Sequence, residues 1–147
     1  MGTTGWHFEG VGLSRIGGDT AVRLGPTVTA AGTIAMIRGD RAVRQAILML
    51  LTTIPGERVM RPDYGCPLNR LAFAVNDATT AGLAIHYVRT ALEAWEPRID
   101  IVRLDAGSRS GAAGSDPYLI IALDYVVRAT RTRDGIEVAL NLMDEAA

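Results

Sequence analysis

The chain has no lysine: all fifteen of its basic residues are arginine. An arginine-only surface favours bidentate and stacking contacts over mobile point charges, although codon bias explains the same composition. Cysteine is nearly absent. Cys66 is the only one, so no internal disulfide can form, and a reducing compartment is compatible. Histidine is limited to His7 and His86, neither in a ligand-spaced cluster, and no metal site is expected. The net charge is -1, which gives no sign of non-specific nucleic-acid binding. No run approaches the roughly twenty apolar residues that cross a bilayer, so no membrane partner is expected. Met1–Trp6 lacks a basic stretch followed by an apolar core, and no signal peptide is expected there. The protein is therefore expected to be made and kept in the cytoplasm, or assembled there into something larger. Cofactor chemistry is not expected either. Gly10-Val11-Gly12 and Gly17-Gly18-Asp19 lack the strand, lysine and helix of a phosphate loop and read as turns. Ser108, Ser110 and Ser115 lie in a loop with no histidine nearby in sequence, which argues against a serine nucleophile.

What is present is the material of one soluble domain: 147 residues, 48% hydrophobic and 21% charged. Residues 1–33 are rich in Gly and Thr. They read as an extended N-terminal arm with strand pieces around Trp6-His7-Phe8 and Ala21–Leu24. The domain proper then covers 34–147, with Ile34–Ile37 as a short strand and Asp40 as a helix N-cap. Val43, Ile47, Leu50, Leu51 and Ile54 recur at three and four, which predicts a helix over Arg41–Ile54 stopped by Pro55-Gly56, with Arg41, Arg44 and Gln45 off its apolar face. Pro67 opens a short helix through Val75, with Leu68, Leu71 and Val75 inward. Asn76 or Asp77 caps the next helix, where Ala81, Ile85, Val88, Leu92 and Trp95 mark a stripe over 78–95. Ile99–Leu104 reads as a strand, 105–117 as a Gly/Ser/Ala-rich loop, and Tyr118–Arg128 as a second strand. Ile136, Val138, Leu140 and Leu142 alternate with polar or small residues, and Asp134-Gly135 reads as the hairpin turn before them. Helices first and strands last predict an α+β domain: two main helices on a small antiparallel sheet that ends in a C-terminal hairpin.

Two segments place opposite charges beside Pro or Gly where the chain turns: Gly56-Glu57-Arg58-Val59-Met60-Arg61-Pro62-Asp63-Tyr64-Gly65 and Glu96-Pro97-Arg98. Pro97 fixes its own φ, removes a donor and keeps Glu96 out of the helical region. Such corners suit docking, because arginine presents a planar fork to a carboxylate or carbonyl. Glu57, Asp63, Glu93 and Glu96 are also candidates for the two carboxyls of a glycosidase. Glu57 and Glu96 each lie within two residues of an arginine, which favours the charged form, the wrong direction for a general acid. The six arginines from Arg38 to Arg70 form either a solvated face or a surface for an acidic partner. The last strand is either an exposed edge that can accept a strand from another chain or one covered within the monomer.

Together, the helix Ala42–Thr53, the Gly56–Gly65 loop, a helix that ends in Trp95-Glu96-Pro97-Arg98-Ile99, a strand with Tyr125 and a last strand resemble the sheath-initiator, baseplate wedge family of contractile injection systems. That family includes phage, type VI secretion and extracellular contractile members, and often carries the label "lysozyme-like". The resemblance covers about residues 34–142. It implies a structural role rather than an enzymatic one, with no cofactor, and the alternative is a peptidoglycan-cleaving glycosidase. The implied partners are the sheath protein, the baseplate wedge proteins and the inner tube or spike hub, with six copies around the particle axis. By the same likeness Glu96, Pro97 and Arg98 contact the wedge core bundle, and Glu57, Arg58 and Arg61 are further expected partner-binding residues. The C-terminal hairpin templates the sheath by its backbone edge, and Ile136, Val138 and Leu140, whose apolar face anchors that strand, are counted among the expected partner-binding residues.

Overall fold

The protein is described by a computed structural model that covers residues 30–33, 36–108 and 116–143, with backbone alone for 36–38 and for the short pieces 4–6, 8–9 and 25–26. Most of the expected arm, including the strand expected at Ala21–Leu24, lies outside the described residues. The pieces that are described pair antiparallel: β1 (Thr4–Trp6) with β4 (Met36–Arg38), and β2 (Phe8–Glu9) with β3 (Gly25–Pro26).

Two helices and one sheet carry the core. α1 spans Asp40–Thr52 and α2 spans Ala78–Trp95. β5 (Ile99–Ser108), β6 (Tyr118–Val127) and β7 (Arg133–Asn141) form an antiparallel sheet in the order β5-β6-β7. The alternation of β6 decides its faces. Leu119, Ile121, Leu123, Tyr125 and Val127 are buried, and the residues between them turn to the outer face. Ile136, Val138, Leu140 and Leu142 join the same inner layer, against Val43, Ile47 and Leu50 of α1 and Ala84, Val88 and Leu92 of α2. Fully burying a side chain of this size contributes about 1.5–3 kcal/mol, so this layer holds the fold together. The α+β architecture follows from the sequence pattern, and α2 occupies the span that its periodicity predicts. Its cap is Asp77, whose side chain accepts a 2.8 Å bond from the Thr80 amide.

Elsewhere the structure corrects the sequence. Gly39, not Asp40, is the N-cap of α1. Asp40 is the first helical residue, and its carboxylate accepts from the Thr130 hydroxyl at 2.8 Å. The helix expected over Pro67–Val75 shrinks to a 3-10 turn at Leu68–Leu71. Phe73 takes a left-handed φ of 63° and donates its amide to the Leu142 carbonyl at 2.6 Å, which breaks the helix and leaves Val75 exposed. β5 continues through Ser108, into the predicted loop, because Asp105–Ser108 pair with Leu119–Ala122 of β6. A bulge at Val102 breaks its register with β6. The hairpin turn is not Asp134-Gly135. Residues 128–132 turn instead: the Val127 amide donates to the Thr132 carbonyl, the Arg131 amide donates to the Val127 carbonyl, and Arg131 has a φ of 58°. Asp134 and Gly135 lie within β7, opposite Tyr125 and Asp124.

Candidate docking sites

The first site is the corner after α2. Pro97 bars a helical Glu96, and Glu96 takes φ -128° and ψ 70° while its amide still closes the helix on the Leu92 carbonyl. Its side chain is buried, at 5% exposure. Arg98 meets it fork to fork: Nε donates to Oε1 at 2.5 Å and Nη2 donates to Oε2 at 2.7 Å. The Arg98 side chain is itself 39% exposed, so it remains partly open to solvent. The hydrogen bonds from Arg98 to Glu96 hold the guanidinium more firmly charged than usual.

The 56–65 loop folds against this corner. Tyr64 meets Trp95 edge-on, with ring centroids 5.4 Å apart. Arg58 lies over the Tyr64 ring at 4.3 Å, and Arg61 lies 5.9 Å from the centre of the Trp95 ring. Burial raises the Tyr64 phenol above its ordinary value, with the nearby Glu96 charge adding and Arg58 and Arg98 opposing. Gly65, at φ 134°, lets the returning chain pass the end of α1: a Cβ there would collide with the Thr53 carbonyl oxygen and the Pro55 nitrogen. The next amide, of Cys66, donates to that same Thr53 carbonyl at 2.9 Å. Burial pushes the Cys66 thiol up to about 12, so it is a core residue rather than a nucleophile.

The structure therefore brings Arg58 and Arg61 to the Glu96-Pro97-Arg98 corner. Glu57 is tied elsewhere, its carboxylate accepting from the Ile54 amide at 3.0 Å at the base of the loop. Ile136, Val138 and Leu140 are core residues, and their side chains are not available to a partner. His86 is an exposed residue of α2, 6.0 Å from the Tyr87 ring. Among the described residues, no group of three His, Cys, Asp or Glu is placed to hold a metal ion, and no helix is long and apolar enough to cross a membrane.

The second site is the edge of the sheet. β6 is central, and β7 has a strand on one side only among the described residues. The bonds between Val127 and Thr132, and from the Leu142 amide to the Pro117 carbonyl, fix the phase of the ladder. Even-numbered residues from Asp134 to Leu142 point their amides toward β6, so odd-numbered ones point theirs to the open edge. One cluster was not legible in the sequence. Tyr125, fully buried, donates its hydroxyl to Asp134 at 2.9 Å, and Arg44 of α1 donates to Asp134 at 2.7 Å and to the Gly135 carbonyl at 3.0 Å. Burial works to raise the Asp134 carboxyl, but bonds from Arg44, the Gly135 amide and Tyr125 outweigh it and hold the carboxyl below the usual range. Burial and the same Asp134 raise the Tyr125 phenol well above its ordinary value. The available signal was Arg44 itself, an arginine beside the apolar stripe of α1, whose partner lies ninety residues away.

Residues 38–132 match the family model of the baseplate wedge protein gp25. The chain belongs to this family. Over 62 residues it is 32% identical to baseplate wedge protein gp25 of Enterobacteria phage T4, a match covering 42% of this chain and 47% of that protein. The chain thus spans about half the length of this curated relative. Among solved structures, a Geobacter sulfurreducens protein described provisionally as a tail lysozyme superposes with a TM-score of 0.64 at 36% identity, over 73% of this chain and 94% of that one. A chain of the six-fold symmetrised anti-feeding prophage baseplate superposes with a TM-score of 0.62 over 70% of this chain and 80% of that one. At 20% identity, that second likeness is one of fold. The gp25 family match includes both the 56–65 loop and the Glu96-Pro97-Arg98 corner, and ends at the turn before β7.

Proposed function

We propose that the chain is a structural component of the baseplate of a contractile, phage tail-like particle, and that it starts sheath assembly by accepting a sheath strand. The observation that carries this reading is the open edge of β7, where Glu137, Ala139 and Asn141 point their backbone groups away from β6. Strand addition supplies directional main-chain bonds of about 0.5–1.5 kcal/mol net each. Six copies around the particle axis make such weak contacts firm by acting together. The partly exposed Arg98, flanked by Arg58 and Arg61, is the contact with the wedge proteins. The N-terminal arm reaches the inner tube or spike hub. The protein is made in the cytoplasm and assembled there into the particle.

The rival is a cell-wall glycosidase, a reading prompted by the tail-lysozyme description of the Geobacter protein. Glu96 argues against it, because both of its oxygens are taken by Arg98 and neither is left to reach a glycosidic oxygen. Glu57 is likewise bonded to backbone. Two measurements separate the readings. Electron microscopy of particles from a strain lacking the protein is expected to show tubes or baseplates without sheath. Purified cell walls are expected to stay intact with the protein and with its Glu57→Gln/Glu96→Gln variant alike. Sheathed particles in the deletion strain, or wall cleavage that the double variant loses, would overturn the proposal.

A further inference from the structure

The free edge of β7 is not uniform. At Gly135 both outward groups are already occupied by side chains: its amide donates to Asp134 Oδ1 at 2.8 Å, and its carbonyl accepts from Arg44 at 3.0 Å. At the other end, the Asn141 side chain accepts from the Met143 amide at 3.0 Å, which takes up the next odd-numbered donor after the strand. Between these two closures, Glu137, Ala139 and Asn141 are outward residues whose backbone groups meet no other described residue. Arg133, beyond Gly135, is the next outward residue on the far side of the Arg44 contact.

We propose that these closures frame a docking window, Glu137–Asn141, that accepts one short strand in a single register, and that Arg44 is the stop that sets it. The proposal rests on the strand-addition reading above. An unframed edge lets an added strand slip by two residues at little cost, because its backbone bonds repeat every second residue. A filled carbonyl at Gly135 removes that freedom at one end, and the Asn141 side chain on the Met143 amide removes it at the other. Arg44 is a positioning residue here. It reaches the edge from α1 and touches β7 rather than the added strand. Its guanidinium suits the role because one planar group serves the Asp134 carboxylate and the Gly135 carbonyl together.

Residue-resolved amide hydrogen exchange on the full chain, free and in purified sheathed particles, tests this. In the free chain the amides of Glu137 and Asn141 are expected to exchange fast, whereas Ala139 is buried at 8% exposure and does not serve as a probe. In particles the Glu137 and Asn141 amides are expected to slow by about a hundredfold or more, while Arg133 stays fast. In Arg44→Met particles Arg133 is expected to become protected as well, and Arg44→Lys is expected to restore the wild-type pattern in part. Protection of Arg133 in wild-type particles, or an Arg133 that stays fast in Arg44→Met particles, overturns the framing while leaving strand addition intact. If Glu137 and Asn141 gain no protection on assembly, strand addition at this edge fails, and the framing fails with it. Should Arg44→Met not fold, the wild-type comparison alone still decides between a framed and an open edge.

Discussion

Glu96 is buried at the end of α2, and both of its carboxylate oxygens are held by Arg98 only two residues later. The pair is not a surface ornament. Removing Arg98 would leave a carboxylate at 5% exposure without its partner.

Arg98→Ala is therefore expected to destabilise the free protein by about 2 kcal/mol. That is less than the roughly 3–5 kcal/mol of a fully buried pair, because Arg98 is itself 39% exposed. Adding Glu96→Gln in the same chain should recover part of the loss, since a neutral amide is cheaper to bury than a lone carboxylate. A thermal melt reads both effects, and an unchanged midpoint for Arg98→Ala would show that Glu96 finds water or another partner.

Two glycines in the 56–65 loop should respond differently. Gly56 has a φ of 96° but open space around a Cβ, so Gly56→Ala should cost about 1 kcal/mol from backbone strain alone. Gly65, at φ 134°, would drive its Cβ into the backbone of Thr53 and Pro55, and Gly65→Ala should cost about 3 kcal/mol or more. Urea unfolding of the two variants side by side checks the order, and equal midpoints would contradict the close approach at Gly65.

The Tyr125–Asp134–Arg44 cluster should make stability depend on pH. The folded Asp134 carboxyl is held below its unfolded value. Its contribution is thus fully present above the unfolded carboxyl value of about 4 and is lost as pH falls through the lower folded value. Asp134→Asn should be less stable than wild type at neutral pH, and the gap should close in acid. Tyr125→Phe removes one bond to Asp134 and should cost about 1 kcal/mol at neutral pH. Chemical denaturation across a pH series measures all three chains, and a gap that stays constant into acid would rule out Asp134 as the titrating group.

Ala139→Pro removes an amide that points away from β6, so the domain itself loses no ladder bond, although Ala139 is buried at 8% exposure and the larger ring must displace its neighbours. The variant is expected to be soluble, to join baseplates and to carry no extended sheath. Full-length sheath on particles shown by mass spectrometry to contain the variant would refute the role of this edge.

The sequence alone determined the α+β class, the span of α2 and the inner faces of β6 and β7. Each of these is set by the period of apolar residues, and burying such a pattern leaves one orientation. It also marked the Glu96-Pro97-Arg98 corner, because the effect of proline on its neighbour is local. Only the tertiary structure decided what is coupled across the chain. Asp134-Gly135 has the composition of a turn, yet it lies in a strand because Tyr125 and Arg44 hold Asp134 there more strongly than its local preference for a turn. Phe73 ends its helix early because its amide reaches the Leu142 carbonyl. Gly65 is required by Thr53, which passes close to it only after the loop has closed. Which groups of β7 face the open edge depends on ladder phase, and that phase is fixed by the turn at 128–132 rather than by any residue within the strand.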